Sequence, residues 1–349
     1  MTPPRPAPAP SGDAHHLTDA TVVPNIARSL LGLLRERGLP PGRVCRGLGF
    51  GYRDLFDLGM RLSYRQTRLL IVRSYQALQD PALGLSAGAR QTPVSWGLPG
   101  LAMLTCETLG EAIAYGLAHQ GDVGALLEHH SSIQRDETVL EVRPKQFDVA
   151  IEPFLVEEAF SSAVAVVRCL VGTGFSPRRV ELAYARPAHA RAYTQFFRGP
   201  VHFGAGANRL VSDVKWLGSP LPGYDEITCA PLRAQLDGFL RRPERRSDLV
   251  ESIASRLRAH LDQPQPLHTV AQELNMSERT LRRRLTEQRL SYQGLLDDIR
   301  HERARDLLQH AGLPVAEVAL ACGFSDARSF RRAFKRWSGA LPGEHRNAP

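Results

Sequence analysis

Residues 268–346 contain one helical unit written twice. Val270-Ala271-Gln272-Glu273-Leu274-Asn275-Met276-Ser277 recurs 48 residues later as Val318-Ala319-Leu320-Ala321-Cys322-Gly323-Phe324-Ser325. Each copy opens into a basic helix, Glu278 to Leu285 in the first and Ala327 to Phe334 in the second. From the first arginine onward the offset is 49, so one residue has been added at the turn. A short helix, a tight turn and a second, basic helix form the helix-turn-helix pattern. Its recurrence predicts an all-helical fold for this part of the chain.

Positions i, i+3 and i+4 share one face of a helix. Arg279, Arg282 and Arg283 therefore project together, as do Arg328, Arg331 and Arg332. Leu281 and Leu285, like Phe330 and Phe334, occupy another face and anchor each helix to a core. An apolar back and an arginine front suit a helix that enters the DNA major groove. There arginine donates two hydrogen bonds to guanine O6 and N7, or clamps phosphates. A single basic stripe is usually a solvated face. Two matched stripes, each behind its own positioning helix, favour nucleic acid instead. Thr280, Ser329, Lys335 and Arg336 lie on the same two helices and complete the candidate contact set, Arg336 as a phosphate contact near the helix end.

Between the units, Ser291 to Leu308 places apolar residues at 295/296, 299, 304 and 307/308, the period of an amphipathic helix. It is predicted to end near Gly312, with Pro314 opening the next helix where proline is tolerated. A helix of roughly 20 residues spans about 30 Å, close to one turn of B-DNA, so two reading helices could occupy successive major grooves.

These features resemble the AraC/XylS family of bacterial transcription regulators. The resemblance rests on the two units at this separation and on the helix Arg300…Ala304…Leu307-Leu308. It also rests on the closing run Gly323-Phe324-Ser325-Asp326…Phe330…Phe334-Lys335…Gly339…Pro342…Arg346. It covers about the last 100 residues and implies that Arg279, Arg283, Arg328 and Arg332 face the groove. Leu285 stands where the family usually has an aromatic.

Charge agrees. The chain of 349 residues carries a net charge of +8, and residues 241–349 hold 20 Lys/Arg against 14 Asp/Glu. The positive excess is concentrated where DNA binding is predicted. Five cysteines (45, 106, 169, 229, 322) without a CxxC pair argue against a disulfide framework or zinc finger and fit a reduced cytoplasm. Cys322 reads as a small buried apolar residue. No apolar run approaches the length of a membrane span. The proline-rich start, Thr2 to Pro10, lacks the core of a secretion signal and reads as a disordered tail.

Residues 21–235 change character along their length. Ile26, Leu30, Leu33 and Leu34 make one helical stripe, and Leu69, Leu70, Val72, Tyr75 and Leu78 make another. Leu101–Leu117 reads as a third helix and Phe154–Val171 as a fourth. Strands are predicted at 124–129, 138–142, 179–184 and 208–212. This α+β segment resembles the N-terminal regulatory domain, described as arabinose-binding-like or effector-binding, of one subgroup of AraC-type regulators. The carriers are Gly97-Leu98-Pro99-Gly100-Leu101-Ala102, Thr108-Leu109-Gly110-Glu111-Ala112, and Phe203…Asn208-Arg209-Leu210…Leu217…Pro220-Leu221. The resemblance implies a role and assigns no effector contact.

Other clusters have plainer readings. Adjacent His129 and His130 on a strand point to opposite faces and lack a third metal ligand. His15-His16 falls in the tail. Glu157-Glu158 reads as a solvated helix face. Gly204-Ala205-Gly206 lacks the setting of a dinucleotide loop and reads as a turn. Gly-x-Ser-x-Gly and phosphate-loop patterns do not occur.

The sequence thus predicts a tail (1–20), an α+β effector-binding or dimerisation domain (21–235), a linker (236–247) and a DNA-binding domain (248–346). That last domain is all-α, with two helix-turn-helix units joined by a long helix. The expected function is effector-controlled, sequence-specific transcription regulation in the bacterial cytoplasm, with no enzyme activity, cofactor, metal or membrane association. Promoter DNA, a small-molecule effector, RNA polymerase in the case of an activator, and a second copy of the chain are the expected partners. Two alternatives stay open: an N-terminal domain that only dimerises or binds a protein, and an enzyme domain fused to a DNA-binding tail.

Overall fold

The computed structural model describes residues 17–57, 59–121, 125–146, 148–239, 246–310 and 313–346. The chain divides into two compact units. One comprises residues up to Val44 together with Arg61–Asp248, the other Cys45–Met60 together with Leu249 onward.

In the first unit, the Asn25–Glu36 helix buries Ile26, Leu30, Leu31 and Leu34. The Tyr64–Leu78 helix starts at Ser63, whose hydroxyl accepts the Gln66 N–H while the Gln66 side chain accepts the Ser63 N–H. Short strands β1 (Ala20–Val22) and β2 (Leu62–Ser63), which the sequence did not mark, pair antiparallel. The helix expected over Leu101–Leu117 is broken into Leu98–Met103 and Leu109–Ala118. Thr108 makes the break by capping the second helix through the Glu111 N–H.

The larger sheet has the order β3-β4-β7-β5-β6, with β3 Leu127–Gln134, β4 Glu137–Pro144, β5 Arg179–Leu182, β6 Val201–Phe203 and β7 Asn208–Asp213. All pairings are antiparallel except β5 with β6. The Ala190–Phe197 helix makes that parallel crossover. Gly204 and Gly206 lie in the bend between β6 and β7. One sheet face carries cross-strand ion pairs linking Arg143, Glu141, Arg209, Glu181, Arg179 and Glu137, as suits a solvated face. The predicted strand from Gly124 begins at Leu127; residues 122–124 lie outside the described residues.

The Glu152–Val171 helix packs against this unit on several sides. A Cβ at Gly88 would lie 2.0 Å from Ser161 Oγ and 2.5 Å from the Glu158 carbonyl. The Leu83–Gly88 helix therefore approaches backbone to backbone. This corrects the reading of Glu157-Glu158 as a solvated face, since the two are only 2% and 7% exposed. Residues 100° apart on one helix here meet different neighbours, and neither side is open to water. Glu157 accepts from the Tyr193 hydroxyl and pairs with His189 at 3.5 Å, whereas Glu158 accepts from Gln91 Nε2 at 3.3 Å.

The region read as a linker is partly structured. The Glu226–Phe239 helix runs into it. Arg246 O accepts from the Ala20 N–H, and the Asp248 N–H donates to Thr18 O. The described backbone thus includes Leu17 to Ala20, inside the expected tail. Residues 240–245 and 1–16, including His15-His16, lie outside the described residues.

The second unit holds two cores. Val250, Ile253, Leu257, Val270, Leu281 and Leu285 belong to the first, Val318, Cys322, Phe330 and Phe334 to the second. One connecting helix, Tyr292–His310, serves both, giving Leu295, Leu296 and Ile299 to the first and Ala304 and Leu308 to the second. Residues 45–60 also belong here: Arg256 donates to Gly49 O at 2.9 Å, and Arg258 pairs with Asp57 at 2.8 Å.

Candidate nucleic-acid interface and ligand cavity

The two repeats fold as two turns of the same shape. In the first, the Leu267–Glu273 helix ends at Leu274, and Asn275 takes a left-handed φ of 55°. In the second, the Val315–Ala321 helix ends at Cys322, and Gly323 takes φ 73°. The following helices start at Ser277, which accepts the Thr280 N–H at 3.2 Å, and at Asp326, which accepts the Ser329 N–H at 2.7 Å. The residue added at the turn is therefore the second cap, because Asp326 rather than Ser325 takes the place of Ser277. The Ser329 hydrogen bonds hold the Asp326 carboxyl below the usual carboxylate range.

The Glu278–Glu287 helix buries Leu281 and Leu285, and the Ala327–Ser338 helix buries Phe330 and Phe334. Arg279, Arg282, Arg283, Arg328, Arg331, Arg332, Lys335 and Arg336 are all exposed. Arg282 pairs with Glu278 at 2.7 Å and Arg283 with Glu287 at 3.7 Å, both within one turn of solvent-facing helix. Such pairs are worth under about 1 kcal/mol and yield readily to a phosphate or base. Arg279, Arg328, Arg331 and Arg332 have no carboxylate partner among the described residues. Thr280 and Ser329 are placed differently, with hydroxyls bonded to the capping side chains at 2.8 Å. Arg336 pairs with Asp297 of the connecting helix at 2.8 Å.

Arg300 explains the Arg300…Gly323-Phe324 spacing. Its guanidinium donates to Gly323 O at 2.9 Å and lies 4.6 Å from the Phe324 ring centre, so the connecting helix fixes the second turn. Cys322 is fully buried, and burial pushes its thiol up to about 11. It acts as a small apolar core residue.

The first unit holds a partly open cavity of about 170 Å³ between the inner sheet face and the Glu152–Val171 helix. Its walls are largely apolar, with Trp96, Met103, Ile113, Leu140, Val166 and Trp216 among them. Polar side chains also reach it: Asn25, Gln120, His129, Ser131, Thr138, Glu158, Ser162 and Ser212. Asn25 Oδ1, His129 Nδ1 and Ser212 Oγ have no hydrogen-bond partner among the described residues. Burial raises the Glu158 carboxyl to about 7 and lowers the His129 imidazole to about 4.

His129 and His130 do point to opposite faces. His129 turns to the cavity, while His130 faces outward beside Glu128 at 3.7 Å. No group of three or more metal-ligating residues occurs among the described residues. No helix among them is long and apolar enough to cross a membrane. The sequence reading missed the cavity residues because their spacing is tertiary. One signal was present: two adjacent glutamates midway along an otherwise Ala/Val-rich helix.

Comparison with known proteins gives the family. Residues 38–221 match the arabinose-binding domain of AraC transcription regulators (N-terminal), and residues 270–348 match a helix-turn-helix domain. The ornithine utilization regulator of Pseudomonas aeruginosa is 30% identical over 93% of this chain and 95% of its own. An uncharacterized HTH-type transcriptional regulator of Mycobacterium tuberculosis is 29% identical over 96% and 97%. Among solved structures, the transcriptional regulator CdpR from P. aeruginosa aligns over 93% of this chain and 98% of its own, at 24% identity and TM-score 0.46. The chain belongs to the AraC family of DNA-binding transcription regulators, in the group whose N-terminal part is an arabinose-binding-type domain.

Proposed function

We propose that this regulator reads promoter DNA with Arg279, Arg282 and Arg283 in one major groove and Arg328, Arg331 and Arg332 in the next. Thr280, Ser329, Lys335 and Arg336 contact the flanking backbone. The carrying observation is the pairing of an exposed arginine face with a fully buried apolar face on each of two helices joined by a single rigid one. The 19-residue connecting helix is about 28 Å long, which suits grooves one turn apart. The test is salt-dependent binding of the full chain to duplexes from upstream of its own and neighbouring genes. No steep fall in affinity with salt on any of them would sink the proposal.

The same reading makes the cavity of the first unit the site of a small-molecule effector that controls promoter occupancy in the cytoplasm. Three polar atoms without a partner among the described residues, in a largely apolar wall, support ligand control over a domain that only dimerises or only binds a protein. Pairing of two copies over two half-sites would raise the effective concentration of the second DNA-binding module. Sedimentation with and without DNA tests it. As an activator, the DNA-bound protein would contact RNA polymerase; transcription in vitro with purified polymerase distinguishes activation from repression.

A further inference from the structure

We infer that the effector is a small amine with an apolar body, its ammonium group held by Glu158 and Asn25; this rests on the cavity being the effector site. Size comes first. An apolar cavity of about 150 Å³ holds benzene, so about 170 Å³ admits a molecule of roughly six to ten non-hydrogen atoms.

Polarity then selects the head group. The wall contains no lysine or arginine, and burial holds its His129 imidazole down at about 4, so neutral at pH 7. A carboxylate or phosphate would find no countercharge there and would meet Glu158 instead. A sugar would strip water from several hydroxyls, while Gln120, Thr138 and Ser162 already donate to the backbone carbonyls of His129, Ser212 and Ala159.

The oxygens left without a donor are what the wall offers a ligand. Glu158 is 7% exposed and accepts from Gln91 alone among the described residues. Asn25 Oδ1 has no donor among them either. Both line the cavity, and Gln91 Nε2 ties Glu158 to Ser29, one helical turn after Asn25. Ser212, only 6% exposed, places another unpartnered oxygen in the wall. An ammonium supplies three donors and the charge that a buried carboxylate lacks.

The test uses the full-length protein and the emission of Trp96 and Trp216, which line the cavity. The probes are 2-phenylethylamine, 2-phenylethanol, phenylacetate and arabinose. The amine should bind at least tenfold more tightly than the alcohol, and far more tightly than the acid or the sugar. Glu158→Gln should weaken the amine at least tenfold and leave the alcohol within twofold. Should that variant fold poorly, Asn25→Ala should still weaken the amine selectively. Tighter binding of the acid or alcohol, or an amine indifferent to both variants, overturns the amine while leaving the cavity as the effector site. If none of the phenyl probes perturbs either tryptophan, amine and effector site fall together.

Discussion

Arg336 near the end of the second recognition helix and Asp297 on the connecting helix form an ion pair at 2.8 Å. Arg336 is 66% exposed and Asp297 20%, so the pair orients the guanidinium without hiding it. Arg336→Ala should weaken binding to every duplex alike, because a phosphate contact carries no sequence information. Asp297→Asn removes a competitor for that arginine. It should cost under about 1 kcal/mol of stability and raise affinity for scrambled duplex. Anisotropy titrations at several salt concentrations check both, and an unchanged scrambled-duplex affinity for Asp297→Asn would contradict the assignment.

Arg283 and Arg332 should behave differently from Arg336. Each alanine substitution is expected to cost roughly 1–3 kcal/mol on the cognate site and to relax base preference there. Selection from a randomised duplex library is the measurement. Losses that are equal on all sequences would make both residues phosphate contacts.

The two turns differ in tolerance. Gly323→Ala places a Cβ 2.2 Å from Leu261 O in a left-handed residue, and should destabilise the second unit by about 3 kcal/mol or more. Asn275→Gly, at the matching turn, should change stability by less than about 1 kcal/mol. Urea unfolding of both variants gives the contrast; similar values would show that backbone approach does not set the second turn.

Residues 45–60 contribute Asp57 to Arg258, which also pairs with Glu251. Losing one partner of a mostly buried guanidinium costs more than losing a surface pair, though Arg258 retains 21% exposure. Asp57→Ala should therefore destabilise the second unit by about 1–2 kcal/mol. Calorimetry of the full chain would read this as a shift in one transition. An unshifted unfolding profile would place residues 45–60 outside the cooperative core of that unit.

Glu158 gives a pH signature. Its carboxyl titrates at about 7 in the folded protein against an ordinary 4.5, so the folded state keeps a proton that the unfolded chain releases. Stability from this group is complete at low pH and declines between about 4.5 and 7, by about 3 kcal/mol in all. His129 acts oppositely, because its folded value near 4 against 6.5 makes stability rise with pH over that range. It is common to wild type and Glu158→Gln, and so cancels between them. The variant's stability relative to wild type should thus grow by about 3 kcal/mol from pH 4.5 to pH 7 and stay level above. A difference independent of pH would mean that Glu158 is ionised in the folded protein.

The doubled unit was legible in the sequence because helix periodicity is local. Leu281/Leu285 and Phe330/Phe334 are buried where the spacing put them, and the arginines stand on the exposed side. Parts of the longer strands were legible too: β4 and β7 fall where 138–142 and 208–212 were marked, whereas β3 shares only Leu127 to His129 with the expected 124–129. Short strands such as β1 and β2 carry too few residues for a period, and the break before Leu109 hangs on one threonine cap. The cavity was decided by tertiary structure alone. It needs Asn25, Glu158 and Ser212, which are far apart in the chain, to converge, and it needs Gly88 to let one helix press onto another. That is why a glutamate pair which reads as solvated in one dimension is buried in three. Sequence order records which face of a helix each residue occupies, but only packing decides whether that face meets water, a neighbouring backbone or a cavity.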